Sequence, residues 1–388
     1  MPNISPLRVV IAGGGVGALE ALMALHDLGE QQLDLTLVAP ADDFVLRPMS
    51  VAVPFSVGHV TRVSLDDLCA RFGARRVKSA IYEVDPEART VFCDDGEVLA
   101  YDRLILAIGA GTRDAFVSAL TFDDADPVEL NGLLADIEGG YVSSIALVIP
   151  PAGSWPLPIY ELALLLAKYT DAVGFAATPI HLVTPEAAPL ELFGAEASAA
   201  VADLLERHGV TLHAGSSATI DRGGQIRLEP GDRHLEVQRI VALPVVVGRA
   251  IAGVPSDDDG FIPVDEHSRV EGLQGVYAVG DDANFPIKQG GLATQQADAA
   301  AKDICADAGA PVARDPFRPV LRGMLLTGGQ PRFLRGDAEG ESRFSADRLW
   351  WPPTKVVGHY LAPWLAREAG IEAEPPAQAS GISIETEL

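Results

Sequence analysis

Apolar runs that close on glycine recur along the chain and predict alternating buried strands and helices. Arg8 to Ala12 is one such run; Gly13, Gly14, Gly15 and Gly17 follow it, and apolar residues recur at helical spacing from Ala18 to Leu28. That reads as strand, tight turn, helix. Leu33 to Val38 predicts the next strand, and the proline-rich apolar stretch at 40–60 a loop. Residues 77–100 predict paired strands with turns at Asp85-Pro86 and Asp95-Gly96, and Asp102 to Gly111 a buried strand ending in glycines.

A second unit repeats the scheme. Ser144 to Ile149, Ile180 to Val183, Val210 to Ala214 and Ile240 to Val247 predict strands, the last ending at Gly248. Pro156 to Lys168 and Ala195 to His208 predict helices. Residues 275–286, GVYAVGDDANFP, predict a strand closing on Gly280-Asp281, with a helix from about Gly291 to Cys305. The units at 7–111 and 144–248 are a coarse duplication. Residues 316–370 form a separate section, and the acidic tail 371–388 is expected to be disordered. The fold class expected is α/β, with two Rossmann-like dinucleotide-binding domains and a C-terminal appendage.

The first turn carries chemistry. Gly13, Gly15 and Ala18 give the spacing G-x-G-x-x-A. Gly13 permits the turn, Gly15 lets backbone approach a pyrophosphate, and the small Ala18 lets helix pack on strand. The helix start then offers free N–H groups and partial positive charge to phosphates.

Composition narrows the partners. The 388 residues hold 29 Lys+Arg against 54 Asp+Glu, a net charge of −25. That field repels nucleic acid and anionic headgroups, and it attracts an anionic dinucleotide only through a local basic patch. Cys69, Cys93 and Cys305 form no C-x-x-C pair and no metal spacing, so neither a disulfide scaffold nor a metal site is expected, and each thiol is read as a small buried hydrophobe. The first residues lack a signal-peptide core, and no apolar run reaches the ~18 residues of a membrane span. The expectation is a cytoplasmic protein, cytosolic or peripheral to the inner membrane face.

Four elements in order resemble the FAD-dependent pyridine nucleotide–disulfide oxidoreductase superfamily: GGGVGALEA at 13–21, LILAIGA at 104–110, the second, degenerate α/β unit, and VYAVGDDANFP at 276–286. FVLRP near 44–48, PIYE at 158–161, IKQGGLATQQA at 287–297 and WPPTKVVGHYLAPWLA at 351–366 are similar to the branch of sulfide:quinone oxidoreductases and type II NADH dehydrogenases. The resemblance implies a discontinuous FAD-binding domain, 1–115 and 240–315, and an inserted NAD(P)-binding-like domain, 116–239. It implies that Gly13, Gly15, Gly17 and Ala18 meet the FAD pyrophosphate, that Gly280 and Asp281 meet the ribityl chain, and that Ala107 and Gly109 belong to the cofactor site. Pro48 would pack on the flavin ring with Arg47 beside it. Gly290 and Gly291 would face its pyrimidine edge, with Lys288 adding charge there. Glu161 resembles a family glutamate near flavin or quinone and is the candidate proton donor. Other readings of these residues stand beside these: a turn or N-cap for Asp281, a loop lysine for Lys288, a surface cation for Arg47, and helix N-terminal charge for Glu161.

Two departures stand out. The second strand ends Leu37-Val38-Ala39-Pro40, without the acidic residue that usually holds the adenosine ribose; Asp42 and Asp43 come later. The inserted unit has only Gly153 where phosphate-binding glycines belong, among Trp155, Pro156 and Pro158, and Glu186 does not restore a tight NAD(P)H site. The segment just before PIYE has Ser154 and Trp155 where a sulfur-carrying cysteine would be expected. Trp350, Trp351, Tyr360 and Trp364, with Lys355, His359 and Arg367, suit either an interfacial helix at a membrane, interrupted by Pro363, or packing over the flavin domain or at a homo-oligomer interface. The expected function is FAD-dependent two-electron transfer from a small-molecule donor to an acceptor such as a quinone. An NAD(P)H-dependent flavin reductase and a degenerate binding or scaffold member are the alternatives.

Overall fold

The computed structural model describes residues 6–29, 32–125, 129–151 and 155–371. Gly153, Ser154 and the tail from 372 lie outside the described residues.

Two five-stranded parallel sheets organise the chain. The first runs in the order Val276–Ala278, Arg103–Leu106, Leu7–Ala12, Leu33–Val38, Arg75–Val77. Its strands are near-continuous apolar runs because helices and a further sheet cover both faces. From Leu7–Ala12 the chain adds strands on one side and then returns to the other with Arg103–Leu106. The crevice beyond the strand ends at such a reversal is where open α/β sheets bind ligands, and the glycine turn follows the central strand directly. Helices Val16–Gly29 and Gly290–Asp307 pack on one another, burying Leu19, Leu22, Leu25, Ile304 and Cys305.

The second sheet runs in the order Leu120–Thr121, Arg239–Ala242, Ile145–Val148, Ile180–Val183, Val210–His213. Helix Leu157–Ala172 is buried along most of its length, because the C-terminal sheet covers the side that the parallel sheet does not.

The single strand expected at 240–247 is two. Arg239–Ala242 belongs to the parallel sheet, while Val245–Val247 pairs antiparallel with Gly111–Arg113. Pro244 lies between them and has no N–H to continue a ladder. The C-terminal section contains an antiparallel sheet, Val320–Leu325, Arg332–Asp337 and Ser342–Ser345, that sequence reading did not anticipate. Pro363 does not interrupt helix Leu361–Glu368; it sits in the first turn, where a missing N–H is tolerated. The Glu20 carboxylate accepts the N–H groups of Tyr360 and Leu361, both at 2.8 Å, and so docks that helix.

The tryptophans have packing partners. Trp364 is 7% exposed, edge-on to Phe72 and beneath Arg71. Trp350 packs edge-on to Phe333, and its Nε1–H donates to the Thr354 carbonyl at 3.1 Å. Among the described residues no helix is long and apolar enough to cross a membrane.

A buried ionic knot ties helix Gly290–Asp307 to its surroundings. Asp303, 1% exposed in its side chain, accepts from Arg269 Nε at 2.8 Å, Arg314 Nη1 at 2.6 Å and Tyr277 OH at 2.8 Å. Burial alone would raise its carboxyl; these donors outweigh that and hold it near 2.

Candidate active site

The glycine turn is shaped by contact. Gly13 has φ +130°, and a Cβ there would lie 2.0 Å from the Ala107 carbonyl oxygen. Glycine alone satisfies both conditions. A Cβ on Gly17 would stand 3.2 Å from Val279 and 3.7 Å from Ala293, so its smallness brings helix Val16–Gly29 against helix Gly290–Asp307. Ala18 is fully buried at the same junction. Gly15 differs: nothing stands within 4 Å of the position a Cβ would take. Gly109, at φ +68°, also faces open space. Ala107 is almost buried and donates its N–H to the Ala12 carbonyl at 2.7 Å, which holds the neighbouring strand ends together.

Gly280 has φ +86°, and its N–H donates to Gln296 Oε1 at 2.7 Å. That turn presents Asp281 at the same sheet end. The Asp281 side chain is only partly shielded, yet protein surrounds it closely. Burial lifts its carboxyl to about 6; Lys288 opposes the shift and Asp124 adds to it. No hydrogen bond reaches it among the described residues. Asp124 also lies 3.9 Å from Arg47, so Asp124 links Arg47 electrostatically to Asp281.

Lys288 does not present its ammonium to open space. Nζ donates to the Ala283 carbonyl and sits 3.7 Å from the Phe261 ring centroid. Burial pulls its pKa down to about 8, against Asp281, Asp282 and Asp257. Gln289 caps the following helix, its Oε1 accepting the Leu292 N–H at 2.9 Å. At that helix start a Cβ on Gly290 would stand 3.1 Å from Val356, and one on Gly291 3.0 Å from Gln289 Oε1.

Glu161, fully buried on helix Leu157–Ala172, belongs to a second cluster. Oε2 accepts from Lys355 Nζ at 2.5 Å and Oε1 from the Leu326 N–H at 2.8 Å. Lys355 Nζ also donates to the Pro48 carbonyl at 2.8 Å. One ammonium thus joins the short helix Arg47–Ala52, the buried face of Leu157–Ala172 and the C-terminal section. Burial pushes the Glu161 carboxyl up and the Lys355 ammonium down, and their mutual attraction opposes both shifts. Sequence reading singled out Glu161 and Pro48 but missed that Lys355 binds both. The only signal is a lone lysine among apolar neighbours in TKVVG. Asp124, in the acidic run FDDAD, gave none.

The inserted unit is poorly furnished for phosphates in its described part. Helix Leu157–Ala172 starts from Pro156 with Pro158 in its first turn, removing donors where a pyrophosphate would need them. Trp155 packs edge-on to Phe193. Glu186 is held by Tyr160 OH at 2.5 Å and Thr184 Oγ1 at 2.9 Å, with its other oxygen buried and unpartnered. The three cysteines are buried, and burial pushes their thiols to about 11 at Cys69 and Cys93 and about 12 at Cys305. Thiolates are scarce at such values.

Two parallel sheets, a glycine turn at the reversal of strand order and a carboxylate opposite it define a dinucleotide-binding oxidoreductase fold. A family model described as pyridine nucleotide-disulphide oxidoreductase matches residues 160–302. An NADH dehydrogenase-like protein of Mycobacterium tuberculosis is 26% identical over 296 residues, covering 71% of this chain and 72% of that one. A demethylphylloquinone reductase of a Synechocystis species is 24% identical over 408 residues, covering 94% and 96%. The structure of the sulfide:quinone oxidoreductase from Aquifex aeolicus superposes with a TM-score of 0.77 at 19% identity, covering 88% of this chain and 87% of that one. The chain thus resembles the pyridine nucleotide-disulphide oxidoreductases, with the family match falling on residues 160–302, and the relatives named above are oxidoreductases.

Members of this family typically hold FAD. The residues at the first sheet end fit that group on two counts. The approach to Gly15 is free of side chains where a pyrophosphate must come close to backbone. Asp281 offers an unbonded, closely surrounded carboxylate to hydroxyl donors.

Proposed function

We propose that the protein is an FAD-dependent oxidoreductase that passes two electrons from a small-molecule donor to an acceptor such as a quinone. The observation that carries this reading is the pairing of an open Gly15 turn with the unbonded Asp281 carboxylate at one sheet end. Bound there, the flavin would supply a two-electron carrier; the chain supplies position and charge. Residues 1–115 and 240–315 would form the FAD-binding unit, with Gly13, Gly15, Gly17 and Ala18 around the pyrophosphate and Gly280 and Asp281 at the ribityl chain. Pro48, Ala107 and Gly109 would border the ring, with Arg47 at its rim. Gly290 and Gly291 would turn a helix start towards its pyrimidine edge, a helix end contributing about 0.3–1 kcal/mol to negative charge there. Lys288, committed to Phe261 and Ala283, acts through space on Asp281. The Glu161–Lys355 pair shares a proton between an acid and a base and anchors Pro48, so it positions the ring side of the site.

A quinone acceptor has the support of the relatives, two of which are named as quinone-type reductases. The buried, high-pKa thiols speak against a persulfide route. The proline-rich start of the inserted unit speaks against NAD(P)H as the donor.

The purified protein is expected to be yellow with a two-band flavin spectrum. Anaerobic mixing with NADH, NADPH, sulfide and small thiols, followed by a soluble quinone, identifies the donor and tests the acceptor. Neither nicotinamide is expected to bleach the flavin band. A colourless protein that excess FAD cannot reconstitute sinks the redox reading in favour of a scaffold.

A further inference from the structure

The C-terminal antiparallel sheet carries a row of arginines that the redox reading leaves unused. Its register sets Arg322 directly opposite Arg335, and Arg335 directly opposite Arg343. Side chains so placed share a face with Cβ atoms about 4.5–5.5 Å apart, and like charges there repel. The row lies on the face away from helix Ala195–Arg207 and its lead-in. Gly323 and Gly336 turn to the other face, where a Cβ would strike Phe193 at 2.7 and 2.9 Å.

The repulsion is only partly compensated. Glu341 reaches Arg335 at 3.1 Å and Arg343 at 2.7 Å. Asp337 lies near Arg335, but its Oδ1 is taken by the N–H groups of Glu339 and Glu341, both at 3.0 Å. Arg322 is half-buried and has no side-chain hydrogen bond or ion pair among the described residues; burial and the neighbouring Arg335 both disfavour its charge, and no carboxylate offsets them. Arg335 Nε is buried without a partner. In a chain of net charge −25, three guanidinium groups therefore meet the Glu341 carboxylate and, near Arg335, that of Asp337, and three less two leaves an excess of one, centred on the unpaired Arg322. The row is also held in place: the Arg322 carbonyl accepts from Gln289 Nε2 at 3.0 Å, and Phe333 on the same face is buried under Trp350.

We propose that Arg322, Arg335 and Arg343 form a binding site for the phosphate group of a small molecule. A phosphate carries about −1.5 to −2 charge at neutral pH, enough to neutralise the excess and to relieve the repulsion between the facing guanidinium groups. Its oxygens suit the planar forks of adjacent arginines, which bind such groups bidentately.

Calorimetric titration of the full-length flavin-loaded protein with inorganic phosphate and with pyrophosphate, each against sodium chloride of equal ionic strength, tests this. Saturable binding is expected, tighter for pyrophosphate, with acetate silent. Arg322→Gln should weaken it at least about tenfold, the loss of one charge-assisted bond, with the flavin spectrum unchanged. Arg343→Gln should weaken it less, because that side chain is already held by Glu341. If Arg322→Gln does not fold, Arg322→Lys, which keeps the charge and loses the fork, should still weaken binding. Sedimentation with phosphatidylglycerol vesicles that is lost in the Arg322 variant would identify a lipid headgroup as the source of the phosphate. Absence of saturable binding to either anion, or binding by folded Arg322 variants as tight as the parent's, overturns the proposal.

Discussion

Replacing Lys355 by methionine leaves Glu161 fully buried with one oxygen unpaired, and strips the Pro48 carbonyl of its donor. Removing one partner of a buried ion pair costs about 3–5 kcal/mol, because the remaining charge has neither water nor counter-ion. The pH dependence separates this cause from lost packing. In Lys355→Met the Glu161 carboxyl has a folded pKa above its unfolded value. The folded chain then binds more protons than the unfolded one, and stability falls as pH rises through that window. In Glu161→Gln the buried ammonium of Lys355 has a folded pKa below its unfolded value, so the unfolded chain binds more protons and stability rises with pH. Each unit of separation is worth about 1.4 kcal/mol. The double variant Glu161→Gln/Lys355→Met loses both buried charges, so it should be nearly flat and less destabilised than the sum of the singles. Urea unfolding of all four proteins at about pH 6, 7.5 and 9, compared with the parent at each pH, reads these slopes. Parallel slopes in the two single variants, or simple additivity in the double, would refute the buried-pair reasoning.

Three further outcomes follow from the geometry. Asp303→Asn should lower stability by about 2–3 kcal/mol at neutral pH, and the difference should vanish as pH falls from about 4 to about 2, since a carboxyl held low contributes only above its unfolded pKa; acid denaturation followed by circular dichroism checks it. Gly13→Ala should both destabilise the chain and abolish flavin content, because the Cβ meets the Ala107 carbonyl, whereas Gly15→Ala should leave the flavin-free protein as stable as the parent and lower flavin content alone. Asp281→Asn should weaken FAD about tenfold to a hundredfold, the value of one charge-assisted bond. It should also stabilise the flavin-free protein increasingly as pH rises from about 4 to about 6, where the parent must ionise a carboxyl that burial has lifted to about 6. Fluorescence titration with FAD and thermal melts across that range measure both effects.

What could be read early was local. The Gly13 turn depends on a backbone conformation that glycine supplies, and the flanking apolar runs differ visibly in period. The break at Pro244 was also visible as a residue, yet the apolar run across it concealed that its halves serve different sheets. Lys288 shows the opposite failure: its position beside a helix start suggested a charge offered to a ligand, and only packing revealed Phe261 and Ala283 as its partners.

The order of strands, glycine turns and helices, the paired units and the candidate carboxylates Asp281 and Glu161 were determined by the sequence itself, because each depends on neighbours within a turn or two of chain. The pairing of Glu161 with Lys355, 194 residues away, the electrostatic link from Arg47 through Asp124 to Asp281, and the alignment of Arg322, Arg335 and Arg343 were decided only by the tertiary structure. Burial and register fix which charges must share a site, and neither property belongs to a residue until distant segments have packed.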